Sequence, residues 1–341
     1  MKSADAERVV PFREARGARY RSGFSVSAPP IPSLRRLGFE EDWTERPAPP
    51  QSSVPPEIVA EYRAWIAKQT PSELLDAHRG VADEWVSPAA WQGEEPPPRR
   101  WMIQGCVTAG NVMLLSGDGS IGKTLLLLQL CAAVATNRDW LGLSPIVGRS
   151  IYLVTEEDED EIKHRIHNVA RSLDVEKADI GENMLLRMRA GQDNRLIRFE
   201  YGEPITTNLW TSLLLKARSF GASYVVLDTA AQTFGGNLSN QTQVTAYLNQ
   251  LRRLAIAIKG VVILTQHPSD NGSNNGSGRA GTRQWENSVR SRLYFRKTKA
   301  GGRELAGMKN NYGLLLDPMA LRYERGVFVP DMPAPRMPYS E

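Results

Sequence analysis

From about residue 100 the chain alternates short apolar runs with amphipathic stretches. "NVMLLSG" (111–117), "SIYLVT" (150–155), "NMLLRMR" (183–189), "SYVVLDT" (223–229) and "VVILTQH" (261–267) are short and rich in branched aliphatics, the texture of strands buried on both faces. Helical periodicity fills the gaps at 123–136, 158–173, 206–220 and 240–259. Strands alternating with helices predict an α/β fold, a mostly parallel sheet with helices packed on its faces. After residue 290 the segments "RLYFRKT", "RELAGMK" and "LRYERGVFV" are separated by glycine-containing turns. They predict antiparallel strands that extend one edge of the sheet.

The first hundred residues have a different texture. Fourteen of the 22 prolines fall there, clustered at Pro29–Pro32, Pro47–Pro56 and Pro96–Pro98, and such spacing interrupts helices and strands alike. Residues 1–55 read as a disordered, Pro-rich tail with a basic start at Arg13, Arg16, Arg19 and Arg21. Residues 56–99 read as a linker carrying two short helices, which open at Pro56 and Pro71 near the first helical position. One α/β domain over 100–331 and a tail over 332–341 complete the organisation. The proline-rich extension, residues 1–85, is the candidate surface for a protein partner.

Composition adds bounds. With 341 residues, 41% of them hydrophobic and 23% charged, the chain is of the soluble globular class. A net charge of +4 permits a nucleic-acid partner without requiring one. Two cysteines, Cys106 and Cys131, give no disulfide framework, so a reducing, cytoplasmic compartment is expected. The longest apolar run, Leu125–Ala135, is shorter than the ~18 residues of a membrane span, and no membrane association is expected.

Residues 117–124, "GDGSIGKT", satisfy two phosphate-binding patterns. Gly117, Gly119 and Gly122 match the dinucleotide fingerprint G-x-G-x-x-G; the whole octet, with Asp118, Ser120 and Ile121 between the glycines, matches the triphosphate loop G-x-x-x-x-G-K-T. Lys123 and Thr124 decide between them. A triphosphate site needs an ammonium for the β- and γ-phosphates and a hydroxyl for Mg²⁺, whereas a dinucleotide site uses neither. The acid that would bind a ribose, Glu156, also lies well beyond the ~20 residues such a site requires. ATP with Mg²⁺ is therefore the expected ligand, with Thr124 on the metal.

Three more strand ends carry the remaining chemistry. Asp228 closes "SYVVLD" and is placed to hold the Mg²⁺ shell. Glu156 follows "IYLVT" at the edge where open α/β sheets bind ligands, and is the candidate base for an attacking water. Glu157 shares that strand end, and the acids from Asp158 to Glu161 read as the start of a helix, where negative charge complements the dipole. Gln266 and His267 end "VVILTQH", where a polar group can sense the terminal phosphate; His267 is the choice. His164 and His167 are spaced to share a helix face but lack further ligands, so a solvated face accounts for them. Cys131 reads as core.

This succession of P-loop, strand-end Glu, strand-end Asp and strand-end Gln-His, followed by a Gly/Ser loop and "NSVRSRLYF", resembles the RecA-like ATPases of the plasmid RepA type, which include hexameric replicative helicases. The similarity runs from "PPPRRWMIQGCVTAGNVMLLSGDGSIGKT" to the C-terminal strands, with "DWLGL", "LRRLAIAI" and "RSRLYF" adding to it. It implies a RecA-like core that hydrolyses ATP at subunit interfaces, usually in a ring. Lys123 and Thr124 would then be the P-loop pair, Glu156 the catalytic carboxylate, Asp228 the Mg²⁺-shell acid and His267 the sensor. Arg290 lies where the family presents an arginine finger to the next subunit, with Arg292 as the alternative. Related ring helicases carry a Lys and an Arg two apart in a late strand; here Lys309 is followed by Asn311, so Arg290 must supply the guanidinium.

The resemblance also implies that the loops after the Asp228 and His267 strands line a central channel. Residues 279–309 hold nine Lys or Arg (Arg279, Arg283, Arg290, Arg292, Arg296, Lys297, Lys299, Arg303 and Lys309) against Glu286 and Glu304, with Trp285, Tyr294 and Phe295 interleaved. Basic charge with stacking rings is the composition of a single-stranded DNA track. Single-stranded DNA and further copies of this chain are the expected partners.

Overall fold

The central strand β3 (Asn111–Gly117) is buried at every position and runs directly into the P-loop and helix α1 (Lys123–Thr136). It follows a short antiparallel pair, β1 (Trp101–Ile103) and β2 (Val107–Thr108). This computed structural model describes residue 60 and residues 86–331, except 270–271, 274–275 and 299–300. The readings of residues 1–55 and 332–341, and the two helices beginning at Pro56 and Pro71, lie outside the described residues apart from residue 60. Within the linker, Pro88–Trp91 form one exposed 3-10 turn capped by Ser87.

Beyond α1 come β4 (Arg149–Val154), α2 (Glu159–Leu173), α3 (Lys177–Asn183), β5 (Met184–Met188), β6 (Ile197–Glu200), β7 (Glu203–Thr206), α4 (Asn208–Phe220) and β8 (Ala222–Asp228). The chain continues through α5 (Ala230–Thr233), β9 (Phe234–Gly235), α6 (Gln241–Ala257), β10 (Val261–Gln266), α7 (Gln284–Ser288), β11 (Ser291–Lys297), β12 (Arg303–Asn310), β13 (Met319–Glu324) and β14 (Val327–Pro330). Nine strands form one sheet in the order β14-β13-β12-β11-β3-β10-β8-β4-β5, and β7-β6-β9 form a second, small sheet. The small sheet and α3 have no counterpart in the periodicity, because their segments are too short and too polar to show one.

The apolar runs become strands because helices cover both faces of the large sheet. On one face α1, buried nearly all round through Leu125–Leu128, Leu130 and Cys131, packs with Val169 of α2, Ile180 of α3 and Phe328. On the other, Trp210 and Leu213 of α4 and Tyr247, Leu248 and Leu251 of α6 meet Leu114, Val225 and Leu264. Truncating one of these leucines to alanine costs about 2–5 kcal/mol. Among the described residues no helix is long and apolar enough to cross a membrane.

The C-terminal edge differs from expectation in two ways. Strand β11 pairs parallel to β3, and the antiparallel part begins only at β12. The reason is the connection: residues 267–290 carry α7 and cross over, whereas two strands joined by a tight turn must run antiparallel. "LRYERGVFV" is also two strands, because Arg325 and Gly326 both take positive φ (50° and 88°) and reverse the chain.

Candidate active site

Gly117 ends β3 so close to β11 that a Cβ there would meet Phe295 O at 2.7 Å. At Gly122 φ is +105°, and a Cβ would meet the Phe328 ring at 2.6 Å. Only glycine serves at that position, on both counts. Helix α1 starts at the next residue with no side-chain cap and no acid in its first turn. Helix α2 is the contrast: Asp158 accepts from Glu161 N at 2.8 Å, and Glu159, Asp160 and Glu161 fill its first turn. The N–H groups and positive dipole end of α1 are thus left for an external anion.

Lys123 brings the matching charge. It is buried, and its Nζ donates to Gly117 O at 2.7 Å and Asp118 O at 3.0 Å, with His267 Nδ1 at 3.2 Å. An ammonium donating to Nδ1 requires the imidazole to be neutral and protonated at Nε2. Burial first, and then the Lys123 charge, lower the pKa of His267 and favour that form. Burial likewise lowers the pKa of Lys123, opposed by Asp228, Glu156 and Asp118.

Hydroxyls surround Asp228. Thr124 Oγ1 donates to its Oδ2 at 2.7 Å, Tyr152 OH to the same oxygen at 2.8 Å, and Thr265 Oγ1 to Oδ1 at 2.6 Å. The Thr155 hydroxyl donates to its backbone carbonyl. A buried carboxylate is costly unless its lone pairs are satisfied, and these donors do that. Tyr152 and Thr265 are not among the candidates read from the sequence; the signal was a single polar group in each of the apolar runs "IYLV" and "VVILT".

Glu156 is exposed and accepts from Thr229 Oγ1 at 3.0 Å, on the residue after Asp228. Glu157 is engaged elsewhere, with Arg165 at 2.7 Å. Gln266 is buried at the end of β10, opposite Ser116 of β3. The C-terminal ends of β3, β4, β8 and β10 therefore bring together the P-loop, Glu156, Asp228 and His267.

The donor set fits a magnesium–nucleoside triphosphate. Thr124 and Asp228 offer the hard oxygens that Mg²⁺ takes beside substrate phosphates, and Lys123 with the N-terminus of α1 offers the phosphate seat. Among the described residues no group of three or more His, Cys, Asp or Glu could hold a metal ion, so His164 and His167 find no third ligand.

Arg290 lies apart from this cluster. Ser291 pairs with Met113 and Phe295 with Gly117, so Arg290 sits at the opposite end of β11 from the P-loop, ~13 Å or more away at about 3.3 Å per residue. Its guanidinium has no hydrogen bond or ion pair among the described residues. Arg292, the alternative finger, is buried: it pairs with Glu286 at 3.1 Å, reaches Ser116 Oγ at 3.4 Å and donates to the Ser277 carbonyl. That removes it as a group free to reach another subunit.

The basic segment changes character in three dimensions. Trp285, Tyr294 and Phe295 are core residues, not stacking platforms: Trp285 meets Phe234 and Tyr247, and Phe295 meets Phe328. Arg279 pairs with Glu286 and Arg296 with Glu304, while Arg303 donates to Ile121 O and Lys309 to the carbonyls of Glu286 and Asn287. Arg283, Arg290 and Lys297 have no ion pair among the described residues, and Lys299 lies outside them. A family model described as an AAA domain matches residues 70–273.

Proposed function

The chain belongs to the AAA-domain family of ATPases, and from that premise we propose that it is a DNA-associated motor, a ring-forming helicase or replication and repair ATPase that hydrolyses Mg-ATP where its subunits meet. The observation that carries the reading is the bond from Thr124 to Asp228 beside the buried Lys123. In this reading the backbone of residues 117–123 and the Lys123 ammonium bind the phosphates. Thr124 and Asp228 would hold magnesium, which would neutralise phosphate charge and polarise the phosphoryl group. Glu156, oriented by Thr229, takes the proton of the attacking water. His267 touches Lys123 and lies where it would register the terminal phosphate. Arg290 of an adjacent copy supplies the guanidinium for charge developing in the transition state.

Phosphate release measured at low salt, with and without a short single-stranded oligonucleotide, tests this. Turnover stimulated by DNA and abolished in Lys123→Ala is expected. Failure of the oligonucleotide either to bind or to stimulate removes the motor.

The burial of the three aromatic rings supports a second reading: a nucleotide-gated loader, scaffold or regulator that assembles with ATP and recruits a protein through residues 1–85, without unwinding. A strand-displacement assay separates the two, and a pull-down comparing the full chain with one starting near residue 86 locates the partner contact.

A further inference from the structure

Peptide geometry ties the phosphate loop to the C-terminal strands. The Ile121 carbonyl and the Gly122 N–H belong to one trans peptide and so point in opposite directions. Arg303, the first residue of β12, donates its Nε to Ile121 O at 3.3 Å. A donor that holds this carbonyl on one side of the loop fixes the Gly122 N–H on the other.

The guanidinium is itself held in place. It lies over the Phe328 ring, 5.4 Å from the centroid, and that ring meets Phe295 and Tyr323 edge-on at 5.1 and 5.6 Å. The same ring packs on Gly122, where φ is +105° and a Cβ would lie 2.6 Å from it. Gln129 of α1 fixes the backbone behind the ring: its Nε2 donates to Phe328 O at 2.8 Å, and its Oε1 accepts from Phe328 N at 2.9 Å. Strand β14 is the last of its sheet, and Gln129 makes there the two bonds that a further strand would make. Ile121, Gly122, Arg303 and Phe328 are thus one packed unit drawn from segments far apart in sequence.

We propose that Arg303 is a positioning residue of the phosphate seat: by holding the Ile121 carbonyl it aims the Gly122 N–H at the bound phosphates, with Phe328 as the platform that keeps the guanidinium there. Backbone N–H groups are what such a loop offers to phosphate, so the aim of one peptide bears directly on affinity. The inference rests on the reading of residues 117–124 as a triphosphate loop, and adds the residue that orients one of its donors.

Two variants of the full chain test it. Arg303→Met keeps an unbranched stem over Phe328 and removes the donor, whereas Arg303→Lys keeps a charged donor. Displacement of a fluorescent nucleotide should show that the Met variant binds MgATP about ten-fold more weakly than wild type, the low end of what a hydrogen bond from a charged group contributes. The same loss should appear with magnesium tripolyphosphate, which has neither base nor ribose, and Arg303→Lys should recover most of it. Loss confined to MgATP overturns the proposal in favour of direct contact with the nucleoside. Wild-type affinity in the Met variant, or equal loss in both variants, also overturns it. Should Arg303→Met fail to fold, the shorter Arg303→Gln takes its place.

A spectroscopic readout needs no ligand. Only two Ile-Gly steps occur in the chain, Ile121–Gly122 and Ile180–Gly181, so labelling isoleucine carbonyls with carbon-13 and glycine amides with nitrogen-15 selects those two peptides. In nucleotide-free protein the Gly122 resonance should move in Arg303→Met and return toward its wild-type position in Arg303→Lys, while Gly181, on α3, stays put as the control. An unmoved Gly122 overturns the positioning role even where affinity falls, because loss of charge alone would not turn the peptide. Failure of wild type to bind either phosphate ligand removes the triphosphate reading and this inference together; wild-type binding without loss in Arg303→Met removes this inference alone.

Discussion

Tyr152 donates its phenolic proton to Asp228 Oδ2 at 2.8 Å from the neighbouring strand, onto the oxygen that also receives Thr124. Both the tyrosine and the aspartate are buried, and β4 and β8 are held in fixed parallel register, so the contact has little freedom. The Thr124 hydroxyl could keep this donation and still offer a lone pair to a magnesium ion, with Tyr152 as the second donor that fixes the carboxylate. Tyr152→Phe keeps the ring and removes that donor. The magnesium concentration for half-maximal turnover should rise about ten-fold, the scale of a hydrogen bond to a charged group. A magnesium titration of phosphate release checks it, with nucleotide binding in chelator expected to stay near wild type.

The two glutamates after β4 have separate partners. Glu156 faces Thr229 at the site, while Glu157 is tied to Arg165. Glu156→Gln should bind nucleotide and turn over at least ~10² more slowly, the usual scale for removing a general base. Glu157→Gln should leave turnover close to wild type and cost less than about 1 kcal/mol, since the ion pair it loses is partly exposed. Steady-state rates and urea midpoints on both variants would distinguish the assignments, and reversed phenotypes would exchange them.

The contact of His267 with Lys123 predicts a pH dependence. Burial and the Lys123 charge lower the folded-state pKa of His267 below the ordinary value of about 6.5. The unfolded chain then takes up a proton before the folded chain does. Stability is accordingly full above about pH 6.5, falls as the pH drops toward the lowered folded value, and levels off below it. Urea midpoints from pH 5 to 7.5 should show this loss in wild type and a shallower one in His267→Gln. Equal slopes in the two proteins would remove His267 as its source.

Much of this arrangement was legible in the chain, for a physical reason. Buried parallel strands and the helices over them impose periods on consecutive residues, so β3, α1, β8 and β10 announce themselves, and the P-loop is contiguous. Strand direction imposes no period. "RLYFRKT" has the same texture whether it lies parallel or antiparallel to β3, and the crossover through α7 decides. The hydroxyls of Tyr152 and Thr265 were hidden because a lone polar residue within an apolar run is also an ordinary strand residue. What turns these two into partners of Asp228 is lateral register, a relationship between segments far apart in sequence.

Arg290 and Arg292 show the same limit, and it yields the sharpest pair of variants. They are two residues apart in one basic segment, yet Arg292 is buried against Glu286, on α7, while Arg290 has no ion pair among the described residues. Removing the buried guanidinium strands Glu286 with Arg279 alone and leaves the Ser277 carbonyl without that donor, so Arg292→Ala should destabilise the fold by about 3–5 kcal/mol. Its thermal midpoint should drop, and residual turnover should track the folded fraction. Arg290→Ala removes no hydrogen bond or ion pair among the described residues, so its stability should lie within about 0.5 kcal/mol of wild type. Its turnover should nevertheless fall about 10³-fold, the lower end of what an arginine finger contributes. Calorimetry and phosphate release on both proteins decide the matter: if Arg290→Ala is fully active, the nucleotide site gains nothing from that guanidinium in any subunit.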